Sequence, residues 1–240
     1  MRHTRIQWAV VVLGMLGVVS LLVLHWMVFF WVPTESTMGI VQRIFYIHVP
    51  AWWASFLGFG IVAMCSAVYL WLGDERLDGA ALAAAEGGMI FSTIGLVTGP
   101  LWGKIAWGTW WTFEPRLTLA LLLWFIYLGY FLVRNSTVNP EQGKRLAAVV
   151  GIIGVLNIPL IHVSVTWLRS LHPEAVVLNP EGFAMNLDPR MLATMGVGLM
   201  AYTLIFFSLF LARYTIDGFE RTVRLRDASL IPVTEGTIDD

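Results

Sequence analysis

Six long apolar runs, separated by short polar connections, limit what this sequence folds into. They cover about residues 8–31, 49–72, 79–101, 117–133, 146–168 and 191–211. Each run is close to the ~20 apolar residues that an α-helix needs to cross the hydrocarbon core of a bilayer. Charged residues make up only 13% of the chain, whereas a soluble domain carries about 25%. We therefore predict an all-α integral membrane protein with six transmembrane helices.

The first run and the distribution of Lys and Arg predict the orientation. The first run is longer than the apolar part of a signal peptide, which is about 7–15 residues, and it lacks a small-residue cleavage site, so we expect a retained span. Six spans place both termini on one side, where the connections carry ten of the fifteen Lys and Arg residues. The positive-inside rule then puts the termini in the cytoplasm. Residues 1–212 would form one membrane domain and residues 213–240 a charged cytoplasmic tail.

The sequence lacks the motifs that several kinds of function require. Cys65 is the only cysteine, so the chain cannot form an internal disulfide, a Cys-x-x-Cys redox pair or a Cys-x-x-Cys-His haem attachment site. It contains no P-loop motif for ATP hydrolysis. It also contains no basic tract of the kind that binds nucleic acid, and we expect no nucleic-acid partner.

The connection between the third and fourth runs is unusually aromatic. This tryptophan segment, residues 102–118, reads W-G-K-I-A-W-G-T-W-W-T-F-E-P-R-L-T. Trp107, Trp110 and Trp111 have the i, i+3, i+4 spacing of residues that share one face of a helix. Indoles beside charged side chains suit a flat, apolar ligand that bears acid groups. The plain alternative is an aromatic belt at the level of the lipid headgroups. The segment's remaining tryptophan and its charged residues are Trp102, Lys104, Glu114 and Arg116.

Two histidines are predicted to lie on the same outer side as the tryptophan segment. Pro50 suits the first turn of the second helix, which would put His48 just before that helix. His172 lies in the long polar connection between the fifth and sixth runs. Haem fits these parts, because its ring is flat, its iron takes axial histidines and its propionates need cations. The alternative is that both are ordinary interfacial residues.

Cations for the propionates are also present on this side. Arginine is favoured because its guanidinium binds a carboxylate through two hydrogen bonds. The candidates are Arg43, Lys104, Arg116 and Arg169.

Two polar side chains are expected inside spans. Glu86 lies about two turns into the third run, and we expect a helix-end acid that faces protein or water. His162 follows Pro159, which predicts a kink in the fifth span. A histidine inside a span needs a partner, for which a backbone carbonyl would suffice.

The residues of three segments resemble those of a known family. W-G-T-W-W-T-F-E-P-R-L-T, at residues 107–118, resembles the "WWD" signature of membrane haem-handling proteins. R-I-F-Y-I-H-V-P-A, at residues 43–51, and N-I-P-L-I-H-V-S-V-T-W-L-R-S-L-H, at residues 157–172, resemble further segments of one such family. That family is cytochrome c maturation protein C, which also has six spans. The resemblance covers most of the chain and leaves the two ends weak.

The resemblance implies roles for individual residues. His48 and His172 match the family's outer-side axial haem ligands, and Arg116 matches the arginine of its signature. Phe113 and Glu114 stand where the signature usually has Trp and Asp, so the aromatic and acidic characters are kept. The aromatic platform of the signature is matched by Trp102, Trp107, Trp110 and Trp111.

The resemblance also implies a task and partners. Members of the family bind haem b transiently outside the bacterial cytoplasmic membrane and present it to a small membrane-anchored haem chaperone. ATP-binding cassette exporter subunits and a small single-span protein assist them. The expectation is therefore a haem-binding and haem-transfer protein that is not itself an enzyme.

Three other functions remain open on the sequence. A cytochrome c synthetase shares the tryptophan signature, but such proteins are longer and carry a further pair of in-span histidines. An electron-transferring b-type cytochrome needs histidines on facing helices, for which His25 and His162 are a poor basis. In a small-molecule permease the tryptophans would be only a belt.

Overall fold

In the described part of the chain the regular elements are all helices, as the apolar runs predict. The computed structural model of the protein describes residues 2–168 and 188–230. In chain order the α-helices are α1 (Arg2–Trp26), α2 (Phe45–Leu72), α3 (Glu75–Trp107), α4 (Pro115–Ser136), α5 (Pro140–Val155), α6 (Asn157–Trp167) and α7 (Pro189–Leu230). A π-helical turn, Met27–Trp31, extends α1, and a 3-10 helix, Ile40–Ile44, leads into α2.

Within these described residues, six segments are long and apolar enough to cross a membrane, and α5 and α6 together supply one of them. The segments are Thr4–Trp31, Ile40–Leu72, Glu75–Trp107, Pro115–Ser136, Pro140–Val165 and Pro189–Val223. The prediction of an all-α membrane protein with six spans is confirmed.

The second helix begins earlier than the sequence predicts. His48 is the fourth residue of α2 rather than the residue before it, and Pro50 lies inside the helix. The reason is burial of the preceding turn. The Tyr46 side chain is fully buried, and Gln42 Nε2 donates to its hydroxyl at 3.2 Å. Packing of these residues draws the chain into helical geometry ahead of the proline.

The third helix is longer than predicted at both ends. It begins at Glu75 rather than near residue 79, because Asp74 caps it by accepting a hydrogen bond from the Arg76 backbone N–H at 2.8 Å. It ends at Trp107, so the first six residues of the tryptophan segment are helical. The last helix likewise continues past residue 211, through the first part of the predicted tail, to Leu230.

The fifth span is broken as Pro159 predicts, but the break lies slightly before the proline. α5 ends at Val155 and α6 begins at Asn157. Pro159 has no N–H to donate to the carbonyl of Val155, so the α-helical ladder cannot pass through this point. Asn157 Nδ2 donates to the Leu119 carbonyl of α4 at 2.7 Å and anchors the break.

Small residues let the helices approach closely, which is typical of membrane helices. α2 packs mainly on α3 and α1 mainly on α7. An added Cβ at Gly95 of α3 would come within 2.5 Å of Trp52 Nε1, and one at Gly88 within 2.6 Å of the Phe59 ring. The Gly- and Ala-rich third span therefore packs closely against α2.

Ion pairs join four helices at the end of the bundle near the termini. The Asp78 carboxylate of α3 accepts two hydrogen bonds of 2.6 Å from the Arg134 guanidinium of α4. Glu86 accepts two further hydrogen bonds, of 2.8 and 3.0 Å, from Arg213 Nε of α7. Glu86 therefore faces protein, as expected, and its partner there is the Arg213 guanidinium. A cavity of about 430 Å³ lies among these charged side chains. Its charged lining residues are Glu75, Asp78, Arg134, Lys144, Arg213, Asp217, Glu220 and Arg221.

Candidate functional site

The tryptophan segment is half helix and half loop. α3 ends at Trp107, and Gly108 follows in the left-handed conformation at φ = 78°. The expectation that Trp107, Trp110 and Trp111 share one helical face is therefore wrong, because glycine takes the chain out of the helix before the second and third tryptophans. Trp102 and Trp107 do lie on the helix, where their rings pack edge to face with centroids 4.8 Å apart.

The loop presents large aromatic rings to its surroundings. Trp110 is 57% exposed and Phe113 is 80% exposed. Trp111 is half-buried and packs edge to face against Phe113. Phe113 has φ = 52°, a conformation that costs a residue with a Cβ roughly 1–2 kcal/mol. Strain of this kind in an exposed aromatic loop is typical of a binding site.

Charged side chains order the two ends of the loop. Lys104 Nζ donates to the Gly108 carbonyl at 3.0 Å and lies 5.9 Å from the centre of the Trp110 ring, within cation–π range. Glu114 is buried immediately before α4, and its negative charge offsets part of the desolvation that burial imposes on the half-buried Arg116 guanidinium. The two loop ends are therefore tied to the helices that they join.

His48 contacts α3 one turn below the tryptophan segment. Its Nδ1 lies 2.9 Å from Thr98 Oγ1, and its ring packs over Gly99, where an added Cβ would come within 3.3 Å of Cε1. Trp52 packs edge to face against the same ring, with centroids 6.5 Å apart. Since Trp102 follows one turn after Thr98 on α3, His48 contacts this helix one turn before the tryptophan segment begins.

His172 and Arg169, the other predicted ligand and one candidate cation, lie outside the described residues. The described chain stops at Leu168, just beyond α6, and resumes at Asp188, just before α7. The pairing of His172 with His48 therefore stays a prediction.

Arg43 is the most suitable of the remaining cations. It belongs to the 3-10 helix that precedes α2, five residues before His48. Its Nε atom is buried and has no hydrogen-bond partner among the described residues. A buried donor without a partner carries a desolvation cost of about 1–3 kcal/mol, which an anionic group of a ligand would offset.

His25 and His162 each donate a hydrogen bond to a backbone carbonyl of their own helix. His162 Nδ1 donates to the Ile158 carbonyl at 3.0 Å, which confirms that a backbone carbonyl serves as its partner. His25 Nδ1 donates to the Leu21 carbonyl at 2.7 Å. In the described part of the chain α1 packs on α7, whereas α6 packs on α4 and α5. His25 and His162 are therefore not on facing helices, which disfavours an electron-transferring b-type cytochrome.

Thr98 is a neighbour of the site that the sequence did not reveal. It stands in an apolar run, and threonine is unremarkable there. Only the position of His48 on the adjoining helix gives it a role.

Comparison with known proteins decides the family. A sequence profile described as Heme exporter protein C matches residues 2–229. The chain belongs to the Heme exporter protein C family. It is 36% identical over 192 residues to Heme exporter protein C of Bradyrhizobium diazoefficiens, covering 80% of this chain and 72% of that one. It is 32% identical over 185 residues to Heme exporter protein C of Escherichia coli K12, covering 77% and 74%.

A further similar protein is named as mitochondrial. A putative cytochrome c biosynthesis ccmC-like mitochondrial protein of Marchantia polymorpha is 38% identical over 143 residues, covering 59% of this chain and 60% of that one. Membership of the Heme exporter protein C family confirms the resemblance that the sequence motifs indicated.

Proposed function

We propose that this Heme exporter protein C family member binds haem at the outer face of the bacterial cytoplasmic membrane and delivers it for cytochrome c maturation. The recipient is a small membrane-anchored haem chaperone. The protein makes no covalent bond itself, and the energy for release comes from ATP-binding cassette subunits, assisted by a single-span protein. The names of the relatives support haem handling. The position of His48 below the tryptophan segment carries the proposal for the site.

The described residues fit haem b as a cargo. His48 supplies one axial imidazole, and His172, in the outer connection between the fifth and sixth spans and outside the described residues, supplies the other. The exposed rings of Trp110 and Phe113 offer apolar surface to the porphyrin. Arg43, with its unpartnered buried Nε, is suited to a propionate. In this arrangement Glu114 and Arg116 order the loop that carries the aromatic rings.

The experiment is the visible absorption spectrum of the detergent-purified protein, recorded after expression with ample haem. We expect a Soret band that is lost or shifted in His48→Ala and in His172→Ala. His25→Ala is the matched control, because this exposed histidine bonds only its own helix in the described structure. Its band should equal that of the parent.

Two results would contradict the proposal. A parent without haem would favour a permease whose tryptophans form a belt. A band that only His162→Ala alters would place the haem inside the span and remove His48 from the ligand set.

A further inference from the structure

Three threonines in this bundle bind a ring nitrogen of a neighbouring helix in the same way. Each threonine hydroxyl donates to the carbonyl four residues earlier on its own helix, at 2.7–2.8 Å. Each threonine oxygen then lies 2.9–3.0 Å from a ring nitrogen of another helix. The pairs are Thr93 with Trp124 Nε1, Thr98 with His48 Nδ1, and Thr203 with Trp53 Nε1.

The two tryptophan pairs establish how the hydrogen bonds run. An indole N–H can only donate, so the oxygens of Thr93 and Thr203 must accept. Their own protons are therefore directed to the backbone carbonyls, which can only accept. In both pairs the ring nitrogen is the donor and the threonine oxygen the acceptor.

The hydrogen bonds of Thr98 indicate which ring nitrogen of His48 carries the proton. The Thr98 hydroxyl lies 2.8 Å from the Ile94 carbonyl and 3.2 Å from the Gly95 carbonyl, so its proton is directed to the backbone. By analogy with the two tryptophan pairs, His48 Nδ1 is then the donor to Thr98 Oγ1. A neutral imidazole with its proton on Nδ1 carries its lone pair on Nε2.

We propose that Thr98 is a positioning residue that holds His48 in this tautomer, so that Nε2 is the nitrogen that binds the haem iron. The inference rests on the proposed function, because it assumes that His48 is an axial ligand. Histidines that bind metals generally donate their other ring N–H to a nearby acceptor, which fixes both the tautomer and the ring orientation. Thr98 is that acceptor here.

The packing around the ring maintains this orientation. Gly99 lies beneath the imidazole, and Trp52 stands edge-on beside it. A rotation of the ring by a half turn would place a carbon atom against Thr98 Oγ1 and lose the hydrogen bond. The hydrogen bond to Thr98 therefore distinguishes this ring orientation from the one reached by a half turn.

The tautomer is measured first on the haem-free protein, by nitrogen NMR of the full chain labelled in its histidines. The His48 signals are identified by their loss in His48→Ala. We expect the proton on Nδ1 in the parent and in Thr98→Ser, which keeps a hydroxyl. Thr98→Val has the same shape without the acceptor, and we expect it to shift His48 toward the Nε2-protonated form. A parent with the proton on Nε2, or an unchanged tautomer in Thr98→Val, would overturn the inference.

The ligand role is measured on the haem-loaded protein. Loss of such an acceptor generally lowers metal affinity about 10–100-fold, and we expect a loss of that size in Thr98→Val, with recovery in Thr98→Ser. Thr93→Val is the matched control, because it removes an equivalent hydroxyl on the same helix from a tryptophan. It should leave haem affinity and the reduction potential of the haem unchanged.

A second variant distinguishes an effect of Thr98 on the orientation of His48 from an effect on the fold. In His48→Gly supplied with free imidazole as the axial ligand, Thr98→Val should have no further effect on haem affinity. An equal loss in that background would show that Thr98 acts on the fold and would overturn the inference. A parent without a Soret band would overturn the proposed function and the ligand role together. A Soret band accompanied by an Nε2-protonated His48 in the haem-free parent would overturn this inference alone.

Discussion

The ion pair between Asp78 and Arg134 should be a main stabilising contact between α3 and α4. The two helices have few other contacts along their length, and the tryptophan segment joins their opposite ends. The side chains are only 6% and 11% exposed, and both guanidinium contacts measure 2.6 Å. Removing one partner of a buried pair strands the other charge, which costs about 3–5 kcal/mol. Asp78→Asn should therefore be strongly destabilising.

The assay is thermal unfolding in detergent, followed by the loss of monodisperse protein. With the soluble-protein scale of about 2–4 °C per kcal/mol for chains of this size, the expected fall in Tm is on the order of 6–20 °C. The double replacement Asp78→Leu, Arg134→Leu should recover much of that loss, because no charge is left unpaired.

The matched control is the exposed pair of Glu141 and Arg145, whose side chains are 73% and 51% exposed. Arg145→Gln should change stability by no more than about 1 kcal/mol, since solvent screens such pairs. A fall in Tm for Asp78→Asn no larger than that for Arg145→Gln would refute the reasoning. So would a double replacement that is less stable than either single one.

Three further predictions concern packing, strain and orientation. Gly95→Ala should lower the free energy of unfolding by about 1–3 kcal/mol, because the added Cβ would overlap the Trp52 ring. Gly129→Ala should be tolerated, because no atom lies within 4 Å of its added Cβ. Equal Tm values for the two variants would contradict this prediction. Phe113→Gly should raise stability by about 1 kcal/mol by removing a positive φ while lowering haem retention, and retention equal to that of the parent would exclude the ring from the site. In a Cys65→Ala background, a membrane-impermeant maleimide should label Met38→Cys in intact cells but Val138→Cys only after permeabilisation, and the reverse pattern would invert the predicted topology.

The sequence predicts the spans well because their lengths and composition follow directly from the bilayer. It predicts the helix ends less well, because these depend on tertiary contacts. α2 begins early because Tyr46 is buried, and Gly108 ends α3 inside a segment whose tryptophan spacing suggests a continuing helix. Periodicity does not show that Gly108 and Phe113 adopt positive φ.

Contacts between positions that are distant in the sequence were also beyond local sequence reasoning. His48 and Thr98 are 50 positions apart, and Asp78 and Arg134 are 56 apart. Residue type and the predicted outer-side position together mark His48 as a candidate ligand, because imidazole binds iron. The role of Thr98 depends on which helix faces α2, and a single sequence does not contain that information.

The most direct test of the account is the transfer of haem from oriented vesicles. Right-side-out and inside-out membrane vesicles holding the haem-loaded protein are mixed with the soluble domain of the haem chaperone, and the covalently attached haem is measured by absorbance. We expect transfer from right-side-out vesicles, little from inside-out vesicles, and none from either with His48→Ala. Equal transfer from both orientations, or transfer that His48→Ala leaves unchanged, would contradict an outer-face site built on His48.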